Sequence, residues 1–215
     1  MKFDKGIAKK YRNSVEDAFR AILALGTDLQ KEIAEEILAS EMLVRVAPVS
    51  EVNASGITGL IDRDRTNERI EDEHLSLREA LGEVVISIAE ETIDTGGQRG
   101  CEGTFVHEGR HAYDFARTIE SFSNADVNPL SLFDPTLYEL ELEAHKISGD
   151  YMLCINKPEY IDEGIGLMIL GRDAAASPCY VSDTGIHRRL QESYGLNPND
   201  NPGPRASELL GLKVK

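Results

Sequence analysis

An α+β fold, mainly helical with one small β-sheet, follows from three features of this 215-residue chain. Segments 14–26, 27–40, 104–115 and 137–153 space their apolar residues by three and four, as a helix with one buried face requires. Val and Ile crowd into GEVVISIAEET, 82–92, as in a buried strand. Between 45 and 64, β-branched residues alternate with Pro, Asn and Gly, which suits short strands or a hairpin.

In chain order, NSVEDAFRAILALG opens with Ser14 followed by Asp17, a cap signal, and stops at Gly26. TDLQKEIAEEILAS repeats the signal with Thr27 and Gln30, giving an N-terminal helical pair over 1–45. A core follows over 46–155. Within it, RTNERIEDEH reads as a solvated face or loop, and DTGGQRG, 94–100, as a flexible loop that leads into the next helix. SFSNADVNPLSLFDP separates that helix from the one at 137–153. Residues 156–215 form a C-terminal extension ending in an extended arm and a short helix, all within one domain of residues 1–215.

Composition narrows the function. With 41% hydrophobic residues the chain can bury one core. A formal charge of −15 and a pI near 4.7 repel phosphate backbones and anionic bilayers, which argues against nucleic-acid or membrane partners. The basic start MKFDKGIAKKYRNS lacks an apolar segment, and the longest apolar run, GIGLMILG at 164–171, is too short to span a bilayer. A cytoplasmic protein is expected. Cys101, Cys154 and Cys179 are an odd, widely spaced set without a CxxC pair, so free thiols are expected. Cys101 lies six residues before His107, a position from which a thiolate can block a metal.

TFVHEGRHAYDF, 104–115, carries the chemistry. Positions i and i+4 share a helix face, so His107 and His111 can aim both imidazoles at one point. Zinc accepts such nitrogens, and a catalytic zinc keeps three protein ligands with a fourth position for water. Glu108, rotated about 100° from His107, flanks that water as a general base. HExxH on a helix is the zinc-peptidase signature.

A third ligand is needed, and Glu141 and Glu143 compete for the place. They stand about 200° apart around a helix, so only one faces a metal. Leu137, Leu140, Ala144, Ser148 and Tyr151 form an apolar and small stripe that includes Glu141, whereas Glu143 aligns with Glu139, Lys146 and Asp150. A carboxylate on the buried side needs a compensating cation, which zinc supplies; a pairing with Arg110 is the structural alternative. Ala144 lets the two helices approach closely.

HEGRHAYDF followed by ELEAHKISGDY resembles the gluzincin class of zinc metallopeptidases, from about residue 83 to Tyr151. There HExxH on one helix is joined by a Glu-x-x-Ala glutamate on a second. The resemblance implies a zincin-like domain with the small sheet beside the HExxH helix, zinc on His107, His111 and Glu141, catalysis by Glu108, and a peptide or protein substrate. It implies that the strand EVVISI borders the cleft and pairs with an extended peptide. One position departs: several branches follow the alanine with an aspartate that orients a ligand histidine, and here it is His145. Asp114 serves either that purpose or a surface ion pair with Arg110 or Arg117.

The implied reaction is amide hydrolysis, with the oxyanion donor open among His145, Tyr151, Tyr113 and His187. His187 sits beside Arg188 and Arg189, a cationic cluster that either receives a substrate carboxylate or is a solvated helix face. The alternative to an enzyme is a zinc-stabilised regulatory or binding protein of the same fold.

Overall fold

The computed structural model describes residues 1–155, 169–172, 174–175 and 178–214. Most of the apolar run 164–171 and the Cys179 side chain fall outside what is described.

Strand β1 (Lys2–Phe3) precedes helices α1 (Lys9–Leu25) and α2 (Asp28–Ala39). α1 starts five residues before the expected cap: Ser14 lies inside the helix, its hydroxyl donating to the Lys10 carbonyl. Tyr11, Val15, Ala18, Phe19 and Ile22 form its buried face. α2 begins as its sequence predicts, with the reciprocal Thr27–Gln30 capping box. Gln30 also donates to the Ile147 carbonyl at 2.8 Å, tying this helix to the one that carries Glu141.

The sheet has the order β1-β2-β4-β3, with β2 (Leu43–Ala47), β3 (Gly56–Leu60) and β4 (Val84–Ala89). β4 is parallel to β2 and antiparallel to β3. The short-strand reading of 45–64 is right, but there is no hairpin. A single turn, α3 (Val49–Val52), carries the chain over, and β4 inserts between the two strands. In β4, Val84, Ile86 and Ile88 are fully buried while Val85 and Ser87 alternate with them at intermediate exposure.

RTNERIEDEH is not a loop. It forms α4 (Arg63–Asp72), capped by Asp62, which accepts from the Asp64 and Arg65 amides. It buries Thr66, Asn67 and Ile70 among its charges. After α5 (Leu77–Leu81) and β4, the chain enters α6 (Glu90–Ser123), which absorbs DTGGQRG as well. The helix is broken there only at Gly97, with φ 60° and ψ −154°, a conformation that glycine adopts freely. Asp94, accepting from Lys10 Nζ and the Tyr11 hydroxyl at 2.9 Å each, pins this first segment to α1. That anchoring replaces the helix propensity which the glycines lack.

α7 (Leu137–Ile155) packs along α6. The hairpin β5 (Ile169–Arg172) and β6 (Pro178–Ser182) follows, then α8 (Thr184–Tyr194) and the short α9 (Ala206–Leu210). The arm before α9 runs along the start of α7, where Leu137 and Tyr138 amides donate to the Pro204 and Pro202 carbonyls at 2.8 and 2.9 Å. One buried apolar cluster runs from Tyr11 to Leu210, with a satellite of Tyr138, Ile186, Leu190 and Leu196. Among the described residues no helix is long and apolar enough to cross a membrane.

Candidate metal centre

α6 and α7 lie so close that the ring centroids of His107 and His145 are 4.8 Å apart, beside Ala144, which is fully buried. A larger side chain at 144 would hold the helices apart.

His107 and His111 bring their Nε2 atoms to 3.2 Å from each other, and Glu141 turns one oxygen to each ring, Oε2 to His107 and Oε1 to His111, both at 3.6 Å. Zinc–nitrogen bonds of about 2.0–2.1 Å at a tetrahedral angle put ligand atoms about 3.3–3.4 Å apart, close to each of the three pairwise contacts in this triangle of residues. His107, His111 and Glu141 are the group among the described residues with metal-competent spacing. His111 Nδ1 and Glu141 Oε2 are buried without a hydrogen-bond partner among the described residues, although buried polar atoms are normally satisfied. Two imidazole Nε2 atoms facing one carboxylate whose Oε2 lacks a hydrogen-bond partner among the described residues fit a divalent cation.

Without a cation the two rings are shifted in opposite directions. Burial drives His111 down to about 3, with the neighbouring His107 charge adding to the effect, so its ring is neutral and keeps its lone pair. Burial opposes ionisation of Glu141 too, but the histidines prevail and hold its carboxyl below the usual range. His107 is raised: burial works against its charge, yet the nearby carboxylates of Glu141, 3.6 Å away, and Glu108 outweigh that. Glu108 is raised by burial, against the opposing pull of His107 and Thr58.

Glu108 stands beside the triangle, outside it. Its Oε2 accepts from the Thr58 hydroxyl at 2.7 Å, which fixes the carboxylate against β3. That strand can lie this close only because residue 56 is glycine: a Cβ there would come within 2.6 Å of Thr104 Cγ2 and 2.9 Å of Glu108 Cγ.

Glu143 turns outward, 42% exposed, toward Lys146 at 3.6 Å and Arg110 at 3.9 Å. Arg110 is no partner of Glu141; its Nε donates to Asp114 at 2.7 Å. Asp114 thus makes the ion pair with Arg110 that was one of its two readings, though buried at 2% exposure rather than on the surface. Cys101 is not near enough to block a metal. It is fully buried, its Sγ donates to the Ser14 carbonyl, and burial pushes the thiol up to about 12. Cys154 is a free, exposed thiol.

Three of the four candidate oxyanion donors are engaged elsewhere. Tyr113 donates to Glu32 at 3.3 Å. Tyr151 is fully buried and donates to Glu102 at 2.7 Å. His187 stacks on Tyr138 and hydrogen-bonds to its hydroxyl through Nδ1. Only His145 stays close, with a buried, unpartnered Nε2 3.8 Å from Glu141 Oε2; burial lowers its pKa to about 4.

The expected peptide-binding strand is corrected. EVVISI lies inside the sheet, hydrogen-bonded on both sides, and has no free edge to offer. The strand that borders the centre is β3, at the sheet edge. It lines a cleft of about 600 Å³ with His107, Glu108, His111 and Glu141. Tyr194, 44% exposed, lines the same cleft and was not singled out in the sequence. Its signal was the spacing Ile186, Leu190, Tyr194, which puts the tyrosine at the rim of α8's buried face. The chain matches no protein-family model, no curated protein and no solved structure.

Proposed function

We propose that this chain is a zinc-dependent peptidase of the gluzincin kind, with His107, His111 and Glu141 as ligands and Glu108 as general base. The observation that supports the reading is the triangle of residues His107, His111 and Glu141, with a 3.2 Å Nε2–Nε2 separation and 3.6 Å from each ring to one of the two Glu141 oxygens, and a separate buried carboxylate beside it in a cleft lined by the edge strand β3. The N₂O donor set suits zinc over magnesium and calcium, which prefer all-oxygen ligands. Zinc, when bound, supplies a Lewis acid and a water of lowered pKa.

The chain's own residues supply the rest. The β3 edge presents amide and carbonyl groups to an extended peptide. Glu108, raised above the usual carboxylate range and held by Thr58, takes a proton at its carboxylate and returns it to the leaving amine. Tyr194, kept protonated by burial and by the charges of Glu141 and Glu108, donates its hydroxyl toward the developing oxyanion.

A second reading has one observation in its favour. The unpartnered His145 Nε2 beside Glu141 is a fourth donor that would close a structural zinc site and leave a non-catalytic regulatory or binding protein. Two measurements separate the readings. For the peptidase, metal analysis after expression without an affinity tag finds about one zinc per chain, and His145→Ala retains it. For the closed site, His145→Ala loses zinc and no peptide is cleaved.

A further inference from the structure

The cleft wall beyond the metal centre is mostly apolar. Ile57 and Leu60 come from β3, Phe115 from α6, and Leu209 and Leu210 from α9. Ile57 and Leu209 are 52% and 43% exposed, so a large apolar surface is open to a ligand. Among the residues that line this cleft, one Lys or Arg is present: Arg63, at the start of α4. In a chain of formal charge −15, most arginines are closely paired with carboxylates. Arg63 is not.

Its side chain is 67% exposed, and its ion pair is a 3.9 Å approach to Asp64, itself 91% exposed. The other neighbouring acid, Asp62, spends its carboxylate on the amides of Asp64 and Arg65. The arginine stem lies along the backbone of Gly211, just after α9, where a Cβ would come within 2.8 Å of Arg63 Cδ. The arm that closes the cleft therefore also seats the guanidinium.

β3 sets the distance from the reacting bond. Thr58 holds Glu108, Leu60 lies two residues or about 7 Å further along the strand, and Arg63 heads the helix that follows. A peptide paired with β3 and cleaved at Glu108 would reach Arg63 roughly two or three residues away.

We propose that the cleft selects an extended peptide carrying a carboxylate at Arg63, with a bulky apolar residue between that carboxylate and the scissile bond. The carboxylate is an Asp or Glu side chain or a free C-terminus. This specificity rests on the peptidase reading for the position of the bond, but the carboxylate subsite has its own readout.

The test uses the zinc-loaded full chain and synthetic peptides with one fixed Leu or Phe. Glu, Gln or Lys is placed in turn at each flanking position, and each peptide is made with a free and an amidated C-terminus. Cleavage is followed by mass spectrometry for the parent and for Arg63→Glu, and binding is followed with Glu108→Gln alone and combined with Arg63→Glu. Because Arg63 is exposed, these variants fold, which circular dichroism checks. The expected result is a preference for Glu over Lys of about tenfold at one position, reversed in Arg63→Glu. If the free carboxy terminus matters and the side chain does not, the terminus is the ligand. Equal cleavage of Glu and Lys peptides, or a preference indifferent to Arg63, overturns the subsite and leaves the peptidase standing. Arg63-dependent binding without cleavage keeps the subsite and removes the peptidase. No binding and no cleavage overturns both.

Discussion

Glu83 and Glu141 are both carboxylates taken out of water, and they are treated in opposite ways. Glu83, 1% exposed, accepts from Arg69 Nη1 at 2.6 Å and Thr66 Oγ1 at 3.2 Å, with Arg65 at 3.4 Å. It has cations and donors from its own chain. Glu141, 13% exposed, has three histidine nitrogens at 3.6 to 3.8 Å and an oxygen with no hydrogen bond among the described residues. A buried carboxylate costs several kcal/mol unless something neutralises it. At Glu83 the protein does so with arginines; at Glu141 histidines compensate only in part, and the proposed zinc would supply the rest. Glu108 stands between the two, buried, with one hydroxyl donor and a raised pKa, which is the condition of a base.

The largest expected effect breaks the middle case. Glu108→Gln should lower peptide hydrolysis by about 10² to 10⁴ while zinc content stays unchanged. Stripped of metal, the variant should equal or exceed the metal-free parent in stability at neutral pH. Folding raises the Glu108 pKa above its unfolded 4.5, so ionisation opposes folding at any pH above the folded value. That penalty vanishes as pH falls through the folded pKa toward 4.5, and the two melting curves should converge there. A substrate cleaved equally by both proteins would end the assignment of Glu108.

The second effect separates the outer cases directly. Glu83→Ala should destabilise the metal-free protein by about 3 kcal/mol, the low end for breaking a buried pair, since Arg69 keeps Glu73 at 2.7 Å and is 22% exposed. Glu141→Gln, measured by the same denaturant titration without metal, should cost clearly less than Glu83→Ala, only the part that the histidines contribute by holding its pKa down. If it costs as much as Glu83→Ala, Glu141 is a structural carboxylate after all.

How far the sequence reveals this contrast depends on whether a signal is local. The i, i+4 histidines, the Thr27–Gln30 box and the choice of Glu141 over Glu143 are readable because helical period alone decides which face each residue takes. Helix 90–103 was hidden because its anchors, Asp94 with Lys10 and Tyr11, are more than eighty residues apart, and local propensity at Gly96 and Gly97 points to a loop. The edge position of β3 was hidden for a related reason. Strand order is a long-range property, and nothing within 45–64 announces that β4 will insert beside it. Thr58 and Tyr194 reach the centre only through that topology and through the C-terminal arm.

Zinc titration sharpens the comparison at a smaller scale. At a free zinc concentration about 100 times the dissociation constant, the parent should gain about 2.7 kcal/mol of stability by linkage. His111→Ala and Glu141→Gln should gain far less, and Glu83→Ala should gain as much as the parent from its lower baseline. The last outcome matters most, because two sites that differ as proposed have additive effects. A loss of zinc response in Glu83→Ala would mean that the Arg69 cluster and the centre are coupled.

The smallest expected effect is the control that fixes the rotation of α7. Glu143 is two residues from Glu141, carries the same charge, and is 42% exposed beside Lys146 and Arg110. Exposed ion pairs of this kind contribute about 0–1 kcal/mol, so Glu143→Gln should change stability by less than about 0.5 kcal/mol and leave zinc affinity unaltered. Because the two substitutions remove the same charge from the same turn of helix, any long-range electrostatic effect on the metal would be shared by both. A large difference in zinc affinity therefore isolates direct ligation by Glu141, and equal losses would show that the centre responds to helix charge rather than to the face on which a carboxylate stands.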